Sequence, residues 1–308
     1  MTIRTAIIGF GKIAQDQHAP AIAGNGAFTL VAVARGDSDA PRGVAHFADH
    51  AEMLTALGSE IDAVAICTPP GPRYAIARHC LAAGLDVLLE KPPCATMGEL
   101  DALTEAADAA GRTLFASWHS QYAPGVAGAA AALAGKRVRR LAIEWREDVR
   151  QFHPGQDWIW APEGFGVFDS GMNALSIASR ILPEPLLVEH ARLDVPANRQ
   201  TPIAARLSFA GDDLTADFDF GHAGEPCWTM TVETDDGTNV TLGEGGGRLV
   251  VDGTAQALPP RAEYPALYAR FAQLIATRTS DVDRSPLRIV ADALLVGERR
   301  TVAAFDWT

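Results

Sequence analysis

The 308-residue sequence has few cysteines and no long apolar segment. Its four cysteines, Cys67, Cys80, Cys94 and Cys227, show no CxxC spacing, so we expect reduced thiols rather than a disulfide framework. No apolar stretch reaches the roughly 18 residues that a membrane-spanning helix needs, which argues against a membrane segment. The histidines and carboxylates show no metal-ligand spacing, and we expect no metal site.

Basic residues are also scarce. The chain has 26 Lys and Arg against 38 Asp and Glu, which gives a formal net charge of −12. Because an acidic surface repels phosphate backbones and anionic lipids, the composition argues against nucleic-acid and membrane partners. Residues 2–8 form a strand-like run without the basic and apolar regions of a secretory signal, so we expect a cytoplasmic protein.

Apolar residues make up 48% of the chain, enough for a sizeable core, and the length favours two domains. Residues 1–120 alternate apolar strands with helices, which is typical of a parallel sheet covered on both faces. Residues 121–308 contain strands of period-two alternation, Asp-Gly turns and late helices, and predict an antiparallel open sheet. The predicted fold class is α/β: a Rossmann domain (1–120) followed by an α+β open-sheet domain (121–308).

The same patterns place the individual elements. Thr96 and Glu99 form a predicted capping box, Gly84 is expected to end a helix in the left-handed conformation, and Gly111 lies just past the end of the next helix. Strands are predicted at 3–8, 28–34, 63–67, 87–89 and 114–117, helices at 11–23, 51–57, 73–83, 97–110, 169–182, 264–277 and 287–301, and a polar and aromatic loop at 149–168.

A glycine-rich motif follows the first predicted strand. Residues 9–14 read GFGKIA and match G-x-G-x-x-A between a strand and a helix. The first glycine permits a tight turn, the second lets a pyrophosphate approach the backbone, and the helix N-terminus adds N–H donors. The motif predicts a dinucleotide-binding site that includes Gly9, Phe10, Gly11, Lys12 and Ile13.

The residue that ends the second strand normally decides between NAD and NADP. Arg35 holds this place, 26 residues after Gly9, and an arginine there accommodates the 2′-phosphate of NADP. Gly36 and Ser38 leave room and a hydroxyl for that phosphate, whereas Asp37 favours NAD. We expect NADP to be preferred and NAD to be used as well; the alternative is that Arg35 is a solvated loop residue.

The sequence Glu90-Lys91-Pro92 stands at the end of the fourth predicted strand, at the sheet edge where open α/β folds bind ligands. With residues 9–14 and with Cys67-Thr68-Pro69-Pro70 at the end of the third strand, it resembles the Gfo/Idh/MocA oxidoreductases over the whole chain. The resemblance implies a homodimer or homotetramer formed by packing of the open sheets. It also implies that the cofactor contacts Thr68, Pro69, Glu90 and Lys91.

Later segments narrow the resemblance. Residues 116–120, 146–150, 153–160 and 166–176 are similar to bacterial L-arabinose/D-galactose 1-dehydrogenases within that family. The similarity implies oxidation of the anomeric carbon of an aldose, L-arabinose and/or D-galactose, to the aldonolactone with NAD(P)+. Residues 144–173 independently offer polar groups beside aromatic rings, which suit the polar rim and apolar faces of a sugar. The candidate sugar ligands are His119, Glu147, His153 and Asn173.

Asp169 and Asn173 are spaced i, i+4 and share one face of a predicted helix. Many family members carry histidine four residues after this aspartate, often taken as the acid–base, but an amide does not exchange a proton near neutral pH. Lys91 and Asp169 are then the candidates. The helix start favours an ionised Asp169, whereas desolvation and the positive nicotinamide favour a neutral Lys91. We predict Lys91 as the proton acceptor, Asp169 as the group that orients Lys91 and the C1 hydroxyl, and Asn173 as a hydroxyl ligand.

Two alternatives stay open. A dehydrogenase of another sugar or polyol keeps the fold and cofactor, although Asn173 argues against inositol-type chemistry. A non-catalytic nucleotide-binding sensor is disfavoured because the lysine of the 90–92 motif is present. The sequence does not choose between the two aldoses, because they differ by one CH2OH group, and recognition of such a group by fit is limited to about 1–3 kcal/mol.

Overall fold

The computed structural model describes residues 2–34 and 41–308, and the chain divides into two compact units. The first unit comprises Met1–His119 and Tyr264–Asp283, and the second comprises Ser120–Glu263 and Arg284–Thr308. The sequence-based division at 120/121 differs at Ser120, which lies in the second unit, and in residues 264–283, which it assigned to the second domain.

Aromatic packing explains the membership of that segment. The helix Glu263–Thr277 brings the rings of Tyr268 and Phe271 to 5.4 and 5.9 Å from Phe28, measured between centroids. All three side chains are buried, so the helix completes the core of the first unit.

The sheet of the first unit has six parallel strands in the order β3-β2-β1-β4-β5-β6. This is the Rossmann order, which confirms the predicted fold class, and it places the chain reversal beside β1. The strand at 45–47 was not predicted, because three residues, of which none is buried, carry no clear periodicity. The strands are β1 (Ile3–Ile8), β2 (Phe28–Ala34), β3 (Ala45–Phe47), β4 (Ala63–Ile66), β5 (Asp86–Glu90) and β6 (Leu114–Ser117).

The helices of this unit begin and end close to the predicted positions. Thr96 Oγ1 accepts from Glu99 N at 3.2 Å, and the Glu99 carboxylate accepts from Thr96 N, which is the predicted capping box. Gly111 has φ 60° and Gly84 has φ 79°, as expected for left-handed helix ends. The helical segments are a π-helical turn at Ala14–His18 continued by Ala19–Ala23, then His50–Leu57, Pro70–Ala82, Met97–Ala110 and Glu263–Thr277.

The second unit contains a nine-stranded sheet in the order β14-β13-β12-β11-β7-β10-β9-β8-β15. It is mixed rather than antiparallel as predicted, because β7 lies parallel to β10 and β15 lies parallel to β8. The strands are β7 (Val138–Arg146), β8 (Val188–Pro196), β9 (Ala204–Phe209), β10 (Asp213–Asp219), β11 (Cys227–Thr234), β12 (Asn239–Gly243), β13 (Arg248–Val251), β14 (Thr254–Ala255) and β15 (Glu298–Val302).

Strand β15 replaces the end of a predicted helix. The helix expected to run to 301 ends at Val296, and the chain turns into the sheet at Gly297. A Cβ at Gly297 would lie 2.5 Å from the carbonyl oxygen of Ala293 and 2.8 Å from a Leu193 methyl carbon. The glycine therefore lets the chain leave the helix close against β8.

Helices cover one face of this sheet. The residues on that face alternate along β7, where Leu141, Ile143 and Trp145 are buried. Residues 149–168, predicted as a loop, contain three short helical turns instead. The helical segments are Val126–Leu133, Val149–Phe152, Asp157–Trp160, Pro162–Gly164, Phe168–Ile181, Glu244–Gly246 and Ser285–Val296. Within the described ranges, no helix is both long and apolar enough to cross a membrane.

Candidate active site

The turn after β1 has the conformation that the glycine motif predicts. Gly9 has φ 87°, and its N–H donates to the Ala34 carbonyl at 2.9 Å. A Cβ at this position would lie 2.7 Å from Thr68 N, so a side chain has no room there. Ala14 is fully buried, which allows the helix to pack closely on the sheet.

The other residues of the glycine motif differ in their burial. Phe10 is buried, and its carbonyl accepts from the Gln15 side chain at 3.1 Å. Lys12 is exposed and pairs with Asp16, and Ile13 is an exposed apolar side chain. The motif thus combines a sterically restricted turn with exposed side chains around it.

Thr68 and Pro69 follow β4, directly against Gly9. The Thr68 hydroxyl oxygen is buried and has no hydrogen-bond partner among the residues that the structure describes. Pro69 immediately precedes the helix Pro70–Ala82. A buried hydroxyl beside a turn that admits only glycine fits the phosphates of a dinucleotide, because phosphate oxygens accept hydrogen bonds from hydroxyl and backbone N–H groups.

Arg73 connects the ends of β4 and β5, a role that the sequence did not suggest. Its buried guanidinium donates to the carbonyl oxygens of Thr68, Glu90 and Pro92. Lys91 therefore lies between Glu90 and Pro92, and the carbonyl oxygens of both accept from Arg73. The Lys91 side chain is half-buried, and the Lys91–Pro92 peptide bond is cis.

The Glu90 side chain is buried among protein partners. Its Oε1 accepts from the Tyr264 hydroxyl at 2.6 Å and lies 3.3 Å from His18 Nε2, and its Oε2 accepts from Lys91 N at 2.5 Å. Burial alone raises the pKa of Glu90, but the hydrogen bond and charge of His18 outweigh it and lower the pKa to about 2.

His18 completes this cluster from the π-helical turn. Its Nδ1 lies 2.9 Å from the Tyr268 hydroxyl, and its ring is fully buried. Burial lowers the pKa of His18, but the Cys67 sulfur, Tyr268 and Glu90 together raise it well above its usual value. No role for His18 could be predicted from the sequence, because only the tertiary structure places His18 in contact with Glu90.

His119 belongs to the same cluster. Its ring stacks on Tyr264 with centroids 5.4 Å apart and planes inclined by 18°, and its charge contributes to the low pKa of Glu90. The predicted sugar ligand therefore lies with Glu90 and Tyr264 at the carboxyl end of the parallel sheet.

In the second unit, Glu147, His153 and Asp169 come together. Glu147 Oε1 lies 3.2 Å from His153 Nε2, and Asp169 Oδ2 lies 3.8 Å from His153 Nδ1. Both carboxylates are buried. Trp228, which the sequence did not single out, donates its indole N–H to Glu147 Oε2 at 2.7 Å. Three of the predicted site residues thus form one imidazole–carboxylate cluster.

Asp169 and Asn173 lie on the helix Phe168–Ile181, one turn apart, as their spacing predicts. Asp169 is in the first turn and buried, and Asn173 is half-buried. The helix approaches the sheet closely at Gly171, where a Cβ would lie 3.0 Å from the Phe218 ring. Close packing of this helix holds both polar side chains on a rigid element.

The residues that bear on cofactor choice are Arg35, Gly36, Asp37 and Ser38. They lie outside the described residues, so the preference for NADP stays a prediction. Within the described part of the chain, no three His, Cys, Asp or Glu side chains are grouped so that they could hold a metal ion.

Comparison with known proteins identifies the family. The family model of oxidoreductases with an NAD-binding Rossmann fold, GFO_IDH_MocA, matches residues 3–117. Galactose 1-dehydrogenase of Pseudomonas fluorescens is 47% identical over 98% of both chains. The chain belongs to the Gfo/Idh/MocA oxidoreductase family. It is an oxidoreductase with a Rossmann domain of the NAD-binding type.

Solved structures of related chains agree over the full length. A crystal structure of the D-galactose-1-dehydrogenase protein from Rhizobium etli superimposes with a TM-score of 0.93 at 46% identity, covering 99% of this chain and 98% of the other. A 3-ketoreductase from Actinomadura kijaniata, in complex with TDP-benzene and NADP, has a TM-score of 0.82 at 17% identity, covering 98% and 100%. The second similarity, at 17% identity, shows the fold alone.

Proposed function

We propose that this oxidoreductase is an aldose 1-dehydrogenase that converts L-arabinose and/or D-galactose to the aldonolactone. The observation that carries the proposal is the cluster of Glu147, His153 and Asp169 beside Trp228. Buried carboxylates and an imidazole accept and donate hydrogen bonds to sugar hydroxyls, and an indole offers a flat apolar surface to sugar C–H groups. The name of the 47% identical relative supports the same class of substrate.

The Gly9 turn and the Thr68 hydroxyl are the proposed contacts of the cofactor pyrophosphate, since a helix N-terminus that follows such a turn presents backbone N–H groups and the buried hydroxyl has no hydrogen-bond partner among the described residues. When bound, the nicotinamide cofactor accepts the hydride that leaves C1 of the sugar. We propose NADP as the preferred cofactor and NAD as the second, on the basis of Arg35 in the sequence.

Lys91 is the proposed proton acceptor. As a neutral amine it takes the proton of the C1 hydroxyl while the C1–H bond breaks and the C1=O bond of the lactone forms. Asn173 carries no exchangeable acid–base function, and we assign it, with His119, Glu147 and His153, to the binding of the remaining hydroxyls. Asp169 orients the reacting groups through its carboxylate.

We further propose a cytoplasmic homodimer or homotetramer. The sheet face opposite the helices supports association of like chains because it carries paired charges of both signs, such as Arg206 and Arg146 on Asp217. A face of alternating charges complements a second copy of itself. Light scattering on the purified protein measures the oligomeric state, and a monomer would contradict this part of the proposal.

The test is a panel of aldoses and polyols with NAD+ and NADP+, scored by kcat/KM. We expect D-galactose and L-arabinose to have the highest values, and inositol and sugar acids to be poor substrates. Highest values for inositol or a sugar acid would favour a polyol or sugar-acid dehydrogenase, and no turnover of any compound would favour a nucleotide-binding sensor.

A further inference from the structure

Two buried charged side chains hold the backbone around Lys91. The Glu90 carboxylate accepts from Lys91 N at 2.5 Å, and the Arg73 guanidinium donates to the carbonyl oxygens of Glu90 and Pro92. Glu90 is 3% exposed and Arg73 is 2% exposed, so water does not compete for these contacts. The main chain of Lys91 is thus restrained on both sides by charge-assisted hydrogen bonds.

Residues distant in sequence hold the Glu90 carboxylate in turn. The Tyr264 hydroxyl lies 2.6 Å from Oε1, and His18 Nε2 lies 3.3 Å from the same atom. His18 Nδ1 is 2.9 Å from the Tyr268 hydroxyl. As an imidazolium, His18 donates from both ring nitrogens, to Glu90 and to Tyr268.

We propose that Glu90 is a positioning residue for Lys91, and that the His18 ring, through Nε2, holds the Glu90 carboxylate in the orientation that accepts the Lys91 amide. The proposal rests on the proposed function, because the position of Lys91 affects turnover only if Lys91 accepts the substrate proton. It does not require that Glu90 contact substrate or cofactor.

The geometry explains why the side chain at position 90 must be a carboxylate. Three donors, Tyr264 Oη–H, His18 Nε2–H and Lys91 N–H, converge on its two oxygens. An amide has only one oxygen, so glutamine at position 90 sets its NH2 group against at least one of these donors. The loss of an acceptor inside a buried network moves the backbone of Lys91 or leaves a donor unsatisfied.

The other titratable groups around His18 and Glu90 are compatible with a protonated imidazole beside an ionised carboxylate. Cys67 acts on the cluster from the position directly after β4, Tyr264 and Tyr268 act on it from the helix Glu263–Thr277, and His119 stacks on Tyr264. Burial and the Glu90 carboxylate raise the pKa of Tyr264 well above its usual value, so its hydroxyl remains a donor.

The experiment uses the full chain with Glu90→Gln, His18→Gln and the double variant. His79→Gln is the matched control, because His79 is an exposed histidine in the last turn of the helix Pro70–Ala82. The measurements in each protein are hydrogen exchange of the Lys91 amide, kcat and KM with the best aldose, and the Kd of the cofactor. Tyr264→Phe, which removes one donor and keeps the ring, replaces Glu90→Gln if that variant does not fold.

We expect the Lys91 amide of Glu90→Gln and His18→Gln to exchange about tenfold faster or more, the effect of losing a hydrogen bond to a charged group. Their kcat should fall about 10–100-fold, as for a small displacement of a catalytic group, with KM and cofactor affinity unchanged. The double variant should be no slower than Glu90→Gln, because no buried imidazolium is left unpaired. His79→Gln should match the wild type.

The proposal is overturned if either measurement in Glu90→Gln stays at the wild-type value, or if the two single effects simply add in the double variant. Failure of the proposed function looks different: the wild type then oxidises no aldose with either cofactor. In that case, unchanged Lys91 exchange in the variants still overturns the positioning role, and faster exchange supports it.

Discussion

Trp228 donates its indole N–H to Glu147 Oε2 across 2.7 Å, while the other oxygen of Glu147 lies 3.2 Å from the imidazole of His153. Trp228 lies on β11, and Glu147 follows directly after β7, its neighbour in the sheet. The hydrogen bond from Trp228 therefore fixes Glu147, a proposed sugar ligand. Through Glu147 it also positions His153, which faces Asp169.

Replacement of Trp228 by phenylalanine keeps a ring but removes the donor. We expect the free energy of unfolding to fall by about 1–3 kcal/mol, as for loss of a hydrogen bond to a buried charged group, and KM for the sugar to rise. Trp307→Phe is the control, since its indole N–H donates to the exposed Asp157 at 2.8 Å. Urea unfolding measures both variants, and equal losses in the two would contradict a special role of the buried bond.

Loss of a sugar ligand should affect the sugar alone. His153→Ala and Asn173→Ala are expected to raise KM for the aldose while the Kd of NADP+, measured by cofactor fluorescence, stays at the wild-type value. His190→Ala, at an exposed histidine on β8, serves as the control. A loss of cofactor affinity as large as the loss of sugar affinity would place the residue in the nucleotide site or in the core instead.

Cofactor preference is predicted to depend on Arg35. Arg35→Ala should weaken NADP+ binding by about 1.5–3 kcal/mol, the contribution of a charge-assisted contact to the 2′-phosphate. NAD+ lacks that phosphate, so its Kd should hardly change. Parallel titrations with the two cofactors check this, and equal losses for both would refute the assignment.

The proton acceptor is tested by Lys91→Ala and Asp169→Asn. Lys91→Ala should lower kcat by about 10²–10⁴-fold, the usual contribution of a general base, with nearly normal NADP+ binding. Asp169→Asn should also slow turnover, because it removes the orienting charge. The wild-type kcat should rise with pH through one ionisation that is absent in Lys91→Ala. If that ionisation persists there and disappears in Asp169→Asn, Asp169 is the base.

The pair of His18 and Glu90 predicts how stability depends on pH. The pKa of Glu90 is lowered to about 2 from its usual 4.5, so its contribution to stability is present above pH 4.5 and is lost as the pH falls towards 2. The pKa of His18 is raised above 6.5, so its contribution is present below pH 6.5 and is lost as the pH rises further. Urea unfolding of wild type and His18→Gln from pH 5 to 9 should show a decline on the alkaline side in the wild type only. Parallel curves for the two proteins would contradict the charged state of His18.

Local elements were predictable because their causes lie within a few residues. The capping box of Thr96 and Glu99, the left-handed Gly111 and the turn at Gly9 depend on hydrogen bonds and steric limits along a short stretch of chain. The i, i+4 relation of Asp169 and Asn173 is of the same kind. The family resemblance extended this information to the chemistry of the lysine in the 90–92 motif.

The sequence by itself thus determined the Rossmann alternation, the glycine turn and the helix that carries Asp169. Tertiary structure decided which distant residues meet: His18 is 72 positions and Tyr264 174 positions from Glu90, yet both contact the same carboxylate oxygen. It also decided the parallel pairing of β7 with β10, and the packing of the helix Glu263–Thr277 with the first unit. The physical reason is that strand order and helix docking depend on burial summed over the whole chain, whereas periodicity records only which face of an element is apolar.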